Sequence, residues 1–123
     1  MAHRPFSESL RFAWAGLIWA WQTQGNIRRH TFAAIMALML AQVLALSWVK
    51  QALLVLTITM VITAELMNTA VETVIDLCNP CYHPLAKRAK DVAAAAVLVA
   101  ALAAVAVGVF LFVPPLLFVL TDR

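Results

Sequence analysis

The chain has 123 residues, of which 64% are hydrophobic and only 12% are charged, and its formal net charge is +3. A soluble domain of this length cannot bury so much apolar surface, so the composition indicates an integral membrane protein. The sequence has no zinc-finger spacing, no recognition helix and no array of basic and aromatic residues. A nucleic-acid partner is therefore not expected, despite the positive charge.

The first segment, at about residues 6–25, has the pattern of an amphipathic helix. Large apolar side chains recur at helical spacing, while Glu8 and Arg11 lie on the opposite face. Trp14 is among the aromatic residues of the apolar face, a composition typical of helices in the membrane interface. We predict a surface helix here, which is compatible with its packing on a bundle. Residues 25–30 are predicted to break this helix before the first span.

Three apolar segments follow, each long enough to cross a hydrocarbon core about 30 Å thick. They cover about residues 31–49, 52–76 and 92–120, with a cytoplasmic loop predicted at 77–91. The third segment is rich in alanine, which favours close packing of helices in lipid. The predicted fold is a single all-α membrane domain over residues 1–123, with a surface helix and three transmembrane helices.

The basic residues predict the orientation of these spans. Only Lys50 and Arg123 lie on one side of the membrane. The others precede the first span or lie between the second and third; they are Arg4, Arg11, Arg28, Arg29, Lys87, Arg88 and Lys90. By the positive-inside rule, the N-terminus and the second loop are cytoplasmic. The net positive charge is then explained by topology.

A polar stripe occupies one side of the second span near its cytoplasmic end. At about 100° per residue, its four side chains share a sector roughly 80° wide. They are Glu65, Asn68, Glu72 and Asp76. Ionisable groups inside a membrane span are costly and usually functional, so we expect the polar stripe to contain the chemistry of this protein.

Carboxylates at this spacing suit a divalent cation and proton abstraction. Glu65 as base, Glu72 as metal ligand and Lys90 with Asp91 across the loop would suit phosphoryl transfer. No Walker loop is present, because none of the three glycines is followed by Lys-Ser or Lys-Thr. Spacing alone leaves other functions open: an ion- or drug-translocating bundle with Glu65 as an embedded proton carrier, or a structural or partner-binding protein. Asp76 could also form a purely structural ion pair with Lys90.

Cys78 and Cys81 form a lone CxxC, with His83 two residues further on. A zinc or redox site needs a second ligand pair or a thioredoxin-like context, and the sequence has neither. Two reduced thiols in a cytoplasmic turn are the favoured interpretation.

Two longer motifs stand out. The first is Glu65-x-x-Asn68-Thr69-Ala70-x-Glu72-x-x-x-Asp76, and the second is His83-x-x-Ala86-Lys87-x-Ala89-Lys90-Asp91-x-Ala93-Ala94. Together they resemble the prokaryotic diacylglycerol kinase family, which includes undecaprenol kinases, and the likeness extends from Ser9 to about Gly108. A weaker motif, Gln24-Gly25-Asn26-x-Arg28-x-His30, is more similar to the undecaprenol kinases.

The resemblance implies a small homotrimeric enzyme of the bacterial inner membrane, with active sites where protomers meet at the cytoplasmic interface. It would phosphorylate a lipid alcohol with Mg-ATP. By matching positions, Glu65 is implied as the catalytic base and Glu72 as a ligand of magnesium and phosphate. The other implied site residues are Lys90, Asp91, Tyr82 and His83 at ATP, and Asn68, Asp76, Ala94 and Trp14 as supporting or substrate-contacting residues.

One position departs from the family pattern. The family has a glutamate before the first span as a second metal ligand, where this chain has Gln24. An amide oxygen coordinates magnesium without adding charge, so we expect a weaker metal site. The sequence does not separate undecaprenol from diacylglycerol, because both lipids present one primary hydroxyl on a long apolar body.

Overall fold

The computed structural model describes residues 5–78 and 81–121, which form four α-helices. They are α1 (Phe6–Thr23), α2 (Gly25–Val43), α3 (Trp48–Cys78) and α4 (Pro84–Thr121). α3 packs against both α2 and α4, most extensively against α4, and α1 packs mainly on α2.

Within the described ranges, α3 and α4 are the helices long and apolar enough to cross a membrane. The predicted all-helical membrane fold is confirmed at this level, whereas the first of the three predicted spans, at 31–49, stays a prediction. Arg4 and Arg123, used for the predicted orientation, and Asn79–Pro80 of the CxxC lie outside the described residues.

The break between α1 and α2 is shorter than the sequence suggests. Residues 25–30, predicted to interrupt the helix, belong to α2, and only Gln24 has extended backbone, with φ −104° and ψ 111°. The guanidinium group of Arg28 donates hydrogen bonds to the carbonyl oxygens of Trp21 and Gln22, at 3.2 and 3.0 Å. Because Arg28 satisfies the last carbonyls of α1, a single extended residue is enough to separate the two helices.

The connection between α3 and α4 is also short. α3 runs to Cys78 and α4 begins at Pro84, so residues 84–91 of the predicted loop are helical. Proline suits the first turn of a helix, where no intrahelical donor is needed. α4 then continues through Pro114 and Pro115 to Thr121.

The turn between α2 and α3 ends α2 with two characteristic backbone hydrogen bonds. The N–H of Leu46 donates to the carbonyl of Ala41, and the N–H of Ala45 donates to that of Gln42, both at 3.0 Å. This is a Schellman motif, in which glycine usually occupies the left-handed position. Here that residue is Ala45, with φ 48°. The turn is therefore strained at one alanine.

Two glutamines connect the helices beside this turn. The Gln42 amide donates to the Gln51 side-chain oxygen at 2.9 Å, and the Gln51 amide donates to the Leu46 carbonyl at 2.8 Å. Gln42 is the single polar interruption of the first predicted span. The hydrogen bond to Gln51 explains how the Gln42 amide is tolerated in an apolar segment. The free energy of burying a polar group is much lower when the group is hydrogen-bonded.

The buried side chains of α3 are spaced by three or four residues and share one face. They are Leu54, Thr57, Val61, Glu65 and Thr69. Leu54 packs in a small core with Ala41 and Leu111. Ala100 is a buried position of α4, and its small side chain suits close helix packing. Glu65 thus lies on the packed face of α3.

The outer faces of the helices expose large apolar side chains, among them Phe32, Leu56 and Phe110. α1 likewise exposes its apolar residues, including Trp14. A surface of this kind requires lipid or another apolar partner. It accords with a membrane location for the chain.

The strain at Ala45 leads to a stability prediction. We expect Ala45→Gly to stabilise the protein by about 1 kcal/mol, because glycine adopts the left-handed conformation without the clash that an L side chain meets. The control is Ala52→Gly, at an exposed position inside α3, which should destabilise by about 0.5–1 kcal/mol. Unfolding midpoints in detergent, followed by helix content, measure both; destabilisation by Ala45→Gly would contradict the left-handed turn.

Candidate active site

The deepest part of the polar stripe is Glu65, which is 3% exposed. Its Oε1 lies 3.2 Å from Nε2 of His30, a residue of α2. The His30 side chain is 30% exposed, so the contact joins a buried carboxylate to a partly accessible imidazole. Such a contact between two helices gives a buried charge the partner that it needs.

One turn further along α3, the Asn68 amide donates a hydrogen bond to Oε1 of Glu72 at 3.1 Å. The other polar atom of this side chain, Oδ1, is buried and accepts no hydrogen bond. A buried acceptor of this kind is available to a ligand or a metal ion. Asn68 and Glu72 therefore present oxygen atoms to one small region.

The stripe ends at Asp76, which forms an ion pair with Lys90 of α4. This pair joins the end of α3 to the start of α4 and was one of the structural alternatives considered for Asp76. Beside it lies an open cavity of about 430 Å³. Its lining includes Asp76, Tyr82, His83, Ala86 and Lys90. The cavity combines cationic, aromatic and hydrogen-bonding groups, as a site for a phosphorylated ligand would require.

Asp91 pairs within α4 instead. Its Oδ2 accepts a hydrogen bond from Nζ of Lys87 at 2.6 Å, across one helical turn. Hydrogen bonding and charge attraction from Asp91 raise the pKa of Lys87 above its ordinary value. Both side chains are exposed, in the first turns of α4 before the apolar run that begins at Val92.

The α3–α4 connection holds the remaining predicted nucleotide contacts. Tyr82 is exposed, and Nδ1 of His83 accepts a hydrogen bond from the backbone N–H of Leu85 at 3.2 Å. That bond leaves Nε2 of His83 as the nitrogen available to a ligand. Cys78 and Cys81 are both free and exposed.

Three predicted residues lie apart from these contacts. Gln24 is half-buried at the α1–α2 junction, where its amide lies 3.5 Å from the hydroxyl of Thr23. Trp14 is exposed on α1, in an open cavity that it shares with Arg11 and Leu17. Ala94 is exposed on α4. The described contacts do not connect any of the three with the polar stripe.

An apolar groove of about 270 Å³ runs between α2, α3 and α4. Its walls are small or branched side chains such as Ala37, Val61 and Gly108, and His30 is the titratable residue in its lining. His30 therefore contacts both the polar stripe and an apolar space.

The donors present fit magnesium in type. Glu72 offers a carboxylate, and Asn68 Oδ1 is an unpartnered amide oxygen next to it; Mg²⁺ prefers hard oxygen ligands and keeps several waters or substrate oxygens. Among the described residues, no group of three or more His, Cys, Asp or Glu side chains forms a metal cluster. A metal would therefore depend on oxygens from outside this set as well.

Two contacts could not be read from the sequence. His30 was noticed only within the weaker motif, and its contact with Glu65, 35 positions away, depends on how α2 packs on α3. Arg28 belongs to the predicted topology and to the weaker motif, but neither indicates that it caps α1. Periodicity places residues on a face of one helix but does not identify which residue of another helix meets that face.

The chain matches the family described as Prokaryotic diacylglycerol kinase over residues 11–112. It belongs to this family, and the resemblance drawn from its motifs is confirmed. α3 and α4 supply helices of the length and hydrophobicity that a membrane enzyme needs.

Curated relatives carry two names. A diacylglycerol kinase of Synechocystis sp. is 51% identical over 110 residues, which cover 89% of this chain and 63% of that protein. A diacylglycerol kinase of Escherichia coli K12 is 35% identical over 94 residues, 76% of this chain and 77% of that protein. An undecaprenol kinase of Bacillus subtilis is 36% identical over 111 residues, 90% of each chain. This chain thus spans less than two thirds of the Synechocystis protein. All three names are those of lipid kinases, and none of the three is that of a translocating protein.

The ion pair of Lys87 leads to a titration prediction. Because Asp91 raises the pKa of Lys87, Asp91→Asn should lower this pKa towards its ordinary value. Asp76→Asn is the matched control, since Asp76 pairs with Lys90 and its loss should leave the Lys87 value nearly unchanged. Titration of ¹³C-methylated lysines by NMR distinguishes the two, since the chain has lysines only at positions 50, 87 and 90. Equal shifts in both variants would contradict the assignment.

Proposed function

We propose that this chain is a membrane lipid kinase that transfers the γ-phosphate of ATP to the primary hydroxyl of a lipid alcohol. The position of the polar stripe is the observation that carries the proposal. It begins with buried Glu65 on the packed face of α3 and ends at Asp76, beside the basic start of α4. A lipid hydroxyl would approach Glu65 from the membrane, and a nucleotide would approach Lys90 from water. One helix face would then align both substrates.

Glu65 is proposed as the general base. Its carboxylate accepts the hydroxyl proton as the lipid oxygen attacks the γ-phosphorus. The O–H bond breaks, a new P–O bond forms, and the bond to the departing ADP oxygen breaks. Burial of Glu65 supports this role, because a water-poor site protects the transferred group from hydrolysis.

The metal site is proposed to combine Glu72, Asn68 and Gln24. The unpartnered Oδ1 of Asn68, beside Glu72, is the observation in favour. When bound, Mg²⁺ would offset negative charge on the transferring phosphates. Gln24 would add an oxygen without charge, which predicts weaker metal binding than a glutamate at that position would give.

The nucleotide is proposed to bind at the α3–α4 connection. Lys90 would neutralise phosphate charge, and Asp76, its ion-pair partner, would keep the ammonium group in place. Glu72 would act on the phosphates through the metal. Asp91, Tyr82 and His83 would contact the remainder of ATP; the last two line the same cavity as Lys90.

We further propose that α2, α3 and α4 all span a bacterial plasma membrane, with the N-terminus and the α3–α4 connection in the cytoplasm. α1 would lie in the interface, where Trp14, and Ala94 at the start of the third span, would adjoin the lipid substrate. The family resemblance supports assembly into a homotrimer, whose protomers would complete each other's sites.

The decisive experiment compares two lipid alcohols. Purified protein in detergent is supplied with Mg-ATP and either diacylglycerol or undecaprenol, and transfer of labelled phosphate to lipid is measured. The proposal requires transfer to at least one of them, and ATP consumption that depends on added lipid. ATP consumption without phosphorylated lipid, or no consumption with either lipid, would refute it. The faster lipid identifies the substrate class.

Glu65→Gln should abolish turnover and leave Mg-ATP affinity nearly intact, because the base acts on the lipid hydroxyl. We expect the rate to fall about 100-fold or more, the usual cost of losing a general base. The control is Glu8→Gln on α1, a carboxylate with no proposed role. Phosphate transfer and ATP binding are measured on the same folded preparations. A Glu65→Gln rate above roughly a tenth of wild type would remove Glu65 from this role.

Gln24→Glu tests the departure from the family pattern. A negative oxygen at a metal site should lower the magnesium concentration needed for half-maximal rate, with the largest benefit at low magnesium. Gln22→Glu is the matched control, because it adds the same charge two residues away on an exposed part of α1. Magnesium titrations that superimpose for wild type and Gln24→Glu would show that position 24 is outside the metal site.

A further inference from the structure

The proposed base has a polar side-chain contact with a residue of a different helix. Nε2 of His30 lies 3.2 Å from Oε1 of Glu65, within reach of a hydrogen bond. In the part of the chain that the structure describes, this is the one polar side-chain contact of Glu65. The described contacts leave Oε2 without such a partner.

The protonation state of this contact follows from the base role. A carboxylate that is to accept a proton is ionised and has only hydrogen-bond acceptors. Nε2 of His30 therefore has to carry the hydrogen in a productive site. Oε1 would be held by the imidazole, and Oε2 would be free to take the proton of the lipid hydroxyl.

The packing of α2 holds His30 in place. Ile27, one turn earlier on α2, is buried. The imidazole is thus presented from a packed helix, whereas the Glu65 side chain has several rotatable bonds. Fixing such a side chain before the reaction removes an entropic cost from the chemical step.

We propose that His30 is the positioning residue of Glu65. Its Nε2–H orients the carboxylate so that Oε2 faces the lipid hydroxyl. This inference rests on the proposed lipid-kinase function and adds to it a residue of α2 that acts on the reaction through Glu65.

Two substitutions separate hydrogen bonding from shape. His30→Phe keeps a ring of similar size but has no donor, and His30→Gln keeps an N–H donor without the ring. We expect His30→Phe to lower kcat roughly 10- to 100-fold, with KM for ATP within about twofold, since misorientation of a catalytic group costs up to about 100-fold. His30→Gln should recover a substantial part of this loss. Thr31→Val, the neighbouring control on α2, should keep the wild-type kcat. A purely structural role of the ring would make His30→Gln the worse variant and would overturn the proposal.

A double-mutant cycle tests whether His30 acts through Glu65. If it does, Glu65→Gln combined with His30→Phe should be no slower than Glu65→Gln alone, within about twofold, because the carboxylate to be oriented is already gone. Independent losses that multiply would assign His30 a different role.

A final measurement does not depend on turnover. The chain has three histidines, so the ¹⁵N imidazole signals of labelled protein in detergent can be assigned by substitution. The His30 signals should shift in Glu65→Gln and stay in place in Thr31→Val. Unchanged His30 signals in Glu65→Gln would overturn the contact itself.

A wild type that phosphorylates neither lipid refutes the lipid-kinase function and with it the catalytic role of His30. An active wild type with unimpaired His30→Phe refutes the positioning role alone.

Discussion

The burial of one carboxylate is the constraint on which the rest of this structure depends. A charge on the packed face of a membrane helix is stable only if neighbouring groups replace its contact with water. Glu65 meets this condition through a contact that crosses from α3 to α2. The position of α2 against α3 and the chemistry available to Glu65 are thus linked, and a change in the packing of α2 would act on the proposed base as well as on the fold.

The buried face and the polar stripe are one continuous surface of α3. Leu54 and Val61 pack in its N-terminal half, and Glu72 and Asp76 continue the same side towards the α3–α4 connection. Polarity therefore rises along a single face, from an apolar core to an exposed ion pair with Lys90. This gradient would suit the proposed reaction, in which the lipid would enter from the apolar end of this face and the nucleotide from its polar end.

Helical periodicity was enough to predict the polar stripe, because 3.6 residues per turn determine which α3 residues share a face. It also predicted the helical character of the chain. Three features depended on contacts between helices and could not be predicted this way: the break limited to Gln24, the Gln42–Gln51 hydrogen bond and the partner of Glu65. In each of them, the relevant neighbour comes from another helix or lies across a turn, where sequence spacing carries no information on distance.

The α1–α2 junction holds two components of the proposed site: Gln24, which departs from the family pattern, and His30, the proposed positioning residue. Gln24 is the residue with extended backbone that separates α1 from α2. His30 lies six residues further on, which corresponds to about 9 Å along the α2 axis at a rise of about 1.5 Å per residue. Arg28 lies between them and holds the end of α1. The orientation of the Gln24 side chain and the position of His30 along α2 therefore both depend on this junction. In the proposed site the carboxylates then come from α3 and α4, while the junction contributes the Gln24 amide and the His30 imidazole.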